Sequence, residues 1–166
     1  MSTRRRLFIG LFPDPPARVA IARHRMRWAW PAGASLPQPQ RLHLTLYFLG
    51  NVEQAVEELL REALRGVAVE PLSLVLRAPQ VWRNGVAVLL PDENEGLLAL
   101  HARIGRAIGT PDQRFTPHVT LARKAAQAYP PEASPPIVWR VNAFSLVWSQ
   151  LGGRPHYEVR GRYPAD

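Results

Sequence analysis

The stretch Leu42-His43-Leu44-Thr45-Leu46-Tyr47-Phe48-Leu49 decides how this chain is read. Residues two apart on a strand share a face, so His43 and Thr45 point one way while Leu44 and Leu46 point into a core. A near copy follows at Phe115-Thr116-Pro117-His118-Val119-Thr120-Leu121-Ala122, with Val119 and Leu121 as the inward pair. Two such strands brought together put two imidazoles and two hydroxyls around one point. A neutral imidazole takes a proton and an imidazolium gives one, both near neutral pH. The hydroxyls can donate to oxygens on which charge builds up. That layout suits metal-independent cleavage of a phosphate ester.

Working outward, residues 6–12 read as a strand broken by Pro13-Asp14-Pro15-Pro16, and 17–28 as a helix. Residues 31–40 form a Pro- and Gly-bearing loop, and Gly50-Asn51 closes the strand at 42–49. The stripe Val52, Val56, Leu59, Leu60, Ala63 and Leu64 predicts a helix over 52–65 with Asn51 as its N-cap. Strands are expected at 72–76 and 86–90, joined through Trp82-Arg83-Asn84-Gly85, and a second amphipathic helix over 95–108. The second histidine strand spans 114–123, a loop 125–136, and two last strands 137–148 and 156–163. Three helices among about seven strands, without strict alternation, indicate an α+β fold with antiparallel sheets. Gln40-Arg41 and Gln113-Arg114 precede the two histidine strands, a weak internal echo of duplication.

The 166 residues suit one domain over 1–166. Hydrophobic content of 46% against 20% charged excludes a disordered chain. No apolar run approaches the ~18 residues of a membrane span, and 7–12 is too short for a signal core, so the chain is expected in the cytoplasm. With no cysteine, disulfides, thiolate catalysis and cysteine zinc sites are excluded. The net charge of +8 favours a polyanionic partner. Lys124 is the one lysine, and arginine binds phosphate bidentately, although a GC-rich genome would also favour arginine.

On these residues the chain resembles the 2H phosphoesterase superfamily, and within it the bacterial and archaeal RNA 2′,3′-cyclic phosphodiesterases, also called 2′-5′ RNA ligases. The likeness runs from Arg6-Leu7-Phe8-Ile9-Gly10-Leu11 through both His-x-Thr strings and Leu98-Ala99-Leu100-His101 to Tyr157-Glu158-Val159. It implies a bilobal fold with two antiparallel sheets about a pseudo-twofold axis, helices outside and a central cleft. It implies RNA with a 2′,3′-cyclic phosphate end as partner, opened to a 2′-phosphate. Carried over, His43 is the general acid and His118 the base, Thr45 and Thr120 hold the phosphate, and Arg123 places its guanidinium near it. No cofactor, metal or membrane is implied, and a monomer is expected. Alternatives are a 2′-5′ phosphodiesterase or 2′-5′ RNA ligase, or a module that only grips an RNA end.

Other residues carry weaker expectations. Tyr47 shares the face of His43 and Thr45 and either stacks on a base as a substrate-binding residue or covers the sheet. Phe48 and Leu49 are expected in the core, as are His24, His101, Trp28 and Trp30 as packing groups. Trp82 is the better stacking candidate. His156 could border the cleft, but a zinc site from His43, His118 and His156 lacks a close-spaced ligand pair. Arg4, Arg5 and Arg6 are either a solvated end or a contact to backbone phosphate.

Overall fold

The computed structural model describes residues 3–111 and 113–165; Met1, Ser2, Asp112 and Asp166 of the expected 1–166 domain lie outside them. The elements are β1 (Arg4–Leu11), α1 (Pro15–Met26), a 3₁₀ turn (Pro39–Arg41), β2 (Leu44–Glu53), α2 (Gln54–Arg65), β3 (Leu72–Val81) and β4 (Ala87–Pro91), then α3 (Glu95–Ile108), β5 (Val119–Ala122), β6 (Ile137–Val141), β7 (Phe144–Gln150) and β8 (His156–Tyr163). The strands form one antiparallel sheet of eight, in the order β6-β3-β4-β5-β2-β1-β7-β8. This differs from the expected two sheets. The two sets of four join through a single residue pair, Leu44 with Val119.

The sheet is strongly curled. β6 and β7 stand far apart in strand order, yet only Asn142 and Ala143 separate them along the chain. Such a connection spans at most about 10 Å. The single strand expected over 137–148 is therefore two. β6 pairs with β3, whereas β7 pairs with β1 and β8.

β2 also departs from expectation. It does not close at Gly50-Asn51 but runs on to Glu53, because β1 offers partners as far as Arg4. Gly10 faces Thr45 while Ile9 faces Tyr47, and Phe8 faces Phe48 while Leu7 faces Gly50. Leu46 and Leu49 are thus the extra residues of two bulges. The positive φ of Gly50 absorbs the bend. Helix α2 then begins at Gln54, with Glu53 and not Asn51 before it.

The apolar members of both histidine strands are buried as expected: Leu44, Leu46, Val119 and Leu121 join the core with Leu7, Ile9, Leu89 and Ile104. Helix α1 packs against β6, α2 against β2 and β8, and α3 against β3 and α2. Glu57 of α2 is 1% exposed. Arg5 of β1 at 3.3 Å and Arg160 of β8 at 3.1 Å neutralise it, and Arg5 also lies over the Trp148 ring. A buried carboxylate needs such partners. Arg4 pairs with exposed Glu53, so of the three basic residues at the start of β1 only Arg6 lines the pocket described below. Among the described residues no helix is long and apolar enough to cross a membrane.

Candidate active site

Leu44 and Val119 direct their side chains to the core, so the residues on either side of each emerge on the opposite face. Continuing that register by one residue each way sets His43 beside Thr120 and Thr45 beside His118. All four line a pocket of about 520 Å³, together with Arg123. The structure therefore gathers five of the six expected site residues at one place.

The sixth, Tyr47, is corrected. The bulge at Leu46 shifts the side-chain phase, so Tyr47 turns inward and is 3% exposed. Its hydroxyl donates to the His101 carbonyl at 2.7 Å, and its ring stacks on His101 at 4.2 Å. His101 is the packing group expected, held between Tyr47 and Phe115. The same shift brings Phe48 out. It is 67% exposed and lines the pocket, against the expectation that it packs in the core.

Both imidazoles are held in the same way. His43 Nδ1 donates to the carbonyl of Arg41 at 2.7 Å, and His118 Nδ1 donates to that of Thr116 at 2.8 Å. Each bond joins a histidine to the residue two before it, which fixes the tautomer and leaves Nε2 without a backbone partner. The Thr45 hydroxyl lies 2.9 Å from His43 Nε2 and donates to it when the ring is neutral.

The surroundings of the two rings differ. Phe8, Phe12 and Tyr157 enclose His43, with ring centres 4.8, 5.5 and 5.4 Å away. Gly10 permits this closeness. A Cβ there would stand 3.2 Å from the Leu44 carbonyl oxygen and 3.4 Å from the His43 ring. Burial pushes the His43 imidazole down to about 4; the positive charges of Arg41, His118 and Arg123 add to this, and the bond to the Arg41 carbonyl opposes it. His118 is less enclosed and meets the edge of Trp82 at 4.6 Å. Trp82 is thus placed against a histidine and is not among the pocket residues.

Four arginines line the pocket: Arg6, Arg41, Arg123 and Arg154. No carboxylate does so among the described residues, and none of the four forms an ion pair there. The 31–41 loop reaches the pocket because it is tied to β5. Ser35 and Arg123 exchange backbone bonds of 2.8 and 2.9 Å. Buried Arg25 of α1 donates to the carbonyls of Pro37 at 2.6 Å and Leu121 at 3.3 Å. Sequence reasoning missed Arg25, Arg41 and the aromatic enclosure. The spacing Phe8-Gly10-Phe12 was the available sign of the last, since alternate residues share the face of His43.

His24 is buried, accepting from Trp28 Nε1 at 2.9 Å and bonded to Ser134, and Trp28 stacks on Trp30 at 4.9 Å. His156 is exposed beside the pocket residues Pro155 and Tyr157. Among the described residues no three groups converge to hold a metal ion, so His156 does not join the other two histidines.

Comparison with known proteins gives the family. The family model described as the 2′-5′ RNA ligase superfamily matches residues 12–153. An RNA 2′,3′-cyclic phosphodiesterase of Thermus thermophilus is 30% identical, over 95% of this chain and 89% of the relative. One of Geobacillus stearothermophilus is 28% identical over 97% of this chain, which spans 57% of that relative. The crystal structure of E. coli LigT complexed with phosphate superposes with a TM-score of 0.82 at 27% identity, covering 98% of both chains. The chain belongs to the 2′-5′ RNA ligase superfamily.

Proposed function

We propose that this protein hydrolyses the cyclic phosphodiester of RNA 2′,3′-cyclic phosphate ends, leaving a 2′-phosphate, with His43 as acid and His118 as base. His118 Nε2 takes a proton from water as the water oxygen attacks phosphorus. The bond from phosphorus to O3′ breaks, and His43 Nε2–H delivers a proton to that oxygen. Thr45, Thr120 and Arg123 donate to the non-bridging oxygens, where charge accumulates. Arginine and hydroxyl donors supply the charge stabilisation, so the step needs no metal. The observation that carries this reading is the matched pair of carbonyl bonds to Nδ1, which leaves both Nε2 atoms without a backbone partner, that of His43 meeting only the Thr45 hydroxyl, in a pocket rich in arginine.

The low proton affinity of free His43 fits an acid that is loaded by its substrate. A phosphate anion ~4 Å away at an effective dielectric constant of ~20 contributes about 4 kcal/mol, roughly a thousandfold in proton affinity. Exposed Phe48 offers its ring to a base at the same pocket. The two sets of four strands meeting at Leu44 and Val119 support reading them as pseudo-twofold lobes of one domain. The test is to incubate the protein and EDTA with a short RNA bearing a 2′,3′-cyclic phosphate and to identify the end group. A 2′-phosphate is expected; an unchanged end contradicts the proposal.

A further inference from the structure

We infer that Arg41 is a substrate-binding residue whose guanidinium grips a phosphate oxygen beside His43; this rests on the phosphoesterase reading above. Arg41 ends the 3₁₀ turn two residues before His43, and its carbonyl already orients that ring. Its side chain does something separate. The guanidinium carbon lies 4.9 Å over the ring of Tyr157, and both residues line the pocket. A guanidinium held over a ring, and not by an acceptor, has its N–H donors left to bond a ligand.

Nothing in the described protein uses those donors. The Arg41 side chain makes no ion pair and no hydrogen bond among the described residues, and its Nε is buried without a partner. A buried donor with no acceptor is uncommon in a folded chain. Arg5 and Arg18 also bury an Nε without a partner, but their guanidiniums bond elsewhere, Arg5 to Glu57 and Arg18 to the Pro13 carbonyl, each at 3.3 Å; of the three, Arg41 is the one with no side-chain bond among the described residues. Arg123, by comparison, is exposed. Arg41 is partly buried, where an anion is screened less. The fork of a guanidinium matches two oxygens of one phosphate. Its neighbour His43 identifies that phosphate as the reacting one.

The experiment titrates inorganic phosphate into the wild-type protein, Arg41→Gln and Arg41→Lys, following His43 and His118 ring resonances. Glutamine keeps the backbone carbonyl that holds His43, so the ring stays oriented while the fork is lost. Phosphate is expected to bind Arg41→Gln about 10- to 100-fold more weakly, as for loss of a charged hydrogen-bond donor. Arg41→Lys, which keeps charge without the planar fork, falls between and carries the test if the glutamine variant does not fold. A Tyr157→Leu change, which removes the stack and leaves Arg41, weakens phosphate by a smaller factor. Binding by Arg41→Gln within twofold of wild type overturns this inference alone. A wild-type protein on which phosphate does not move either histidine overturns it together with the phosphoesterase reading.

Discussion

Leu44 and Val119, each the residue after a motif histidine, pair across the centre of the sheet. That one pair joins the two sets of four strands and fixes what faces the pocket. Because both side chains are buried, a slip of one residue in either strand would send its His-x-Thr pair into the core. The site is therefore specified by burial of its apolar alternates as much as by its polar members.

The bulge at Leu46 separates the roles of two adjacent aromatic residues. Tyr47→Phe removes a buried hydroxyl bonded to the His101 carbonyl and is expected to cost about 1 kcal/mol of stability with KM for RNA unchanged. Phe48→Ala is expected to raise KM by about 5- to 150-fold, given ~1–3 kcal/mol for a stacked base, with little change in stability. Denaturant midpoints and steady-state kinetics on both variants check this. A KM effect at Tyr47 and none at Phe48 would reverse the assignment.

Proton uptake should accompany binding. Free His43, at about 4, is neutral at pH 6. A bound phosphodiester anion favours the imidazolium, so binding draws a proton from solution. Calorimetry with a non-hydrolysable phosphodiester analogue in several buffers is expected to give enthalpies that rise with buffer ionisation enthalpy, up to one proton per site. His43→Asn should abolish the dependence. No dependence in the wild type would argue against substrate loading of the acid.

Stability should fall on acidification. Burial lowers the proton affinity of His43, His24 and His101 below the unfolded value of 6.5, with Arg27 adding to the effect at His24. Between the folded and unfolded values the unfolded chain binds more protons, so stability rises with pH there and is lost as pH drops from about 6.5 toward 4. Urea midpoints at pH 7, 6 and 5 should decrease in that order, with a shallower decrease in His43→Asn. A flat or rising series contradicts the burial argument.

Gly10 should resist even a methyl group. An alanine Cβ would press on the Leu44 carbonyl oxygen and the Phe8 ring at 3.2 Å, and Gly10 faces Thr45. Gly10→Ala is expected to displace the His43 enclosure, lowering kcat about tenfold while costing on the order of 1 kcal/mol of stability. Wild-type kcat in this variant would mean that the ring tolerates movement.

What could be read in the sequence was whatever local alternation determines. His43, Thr45, His118 and Thr120 lie on the faces that period two assigns them, and period two is visible without knowing the strand's partner. Tyr47 was misplaced because the Leu46 bulge is set by pairing with β1, more than thirty residues away along the chain. The split between β6 and β7 was hidden for the same reason: 137–148 is locally continuous, and only pairing with β3 and β1 divides it. Arg41 was obscured by composition, one arginine in a chain whose basic residues are all arginine but Lys124. Its distinction lies in having a ring beneath it and no carboxylate beside it.

The central claim is that the two histidines perform the chemistry together. Single-turnover cleavage of a cyclic-phosphate-ended RNA by wild type, His43→Ala, His118→Ala and the double variant tests it most directly. Each single change is expected to lower the rate about 10²–10⁴-fold, and the double variant to be little worse than the poorer single one, since the groups act as a unit. Phosphate-end binding should persist in all four. A single variant that retains wild-type turnover would contradict the paired acid–base account.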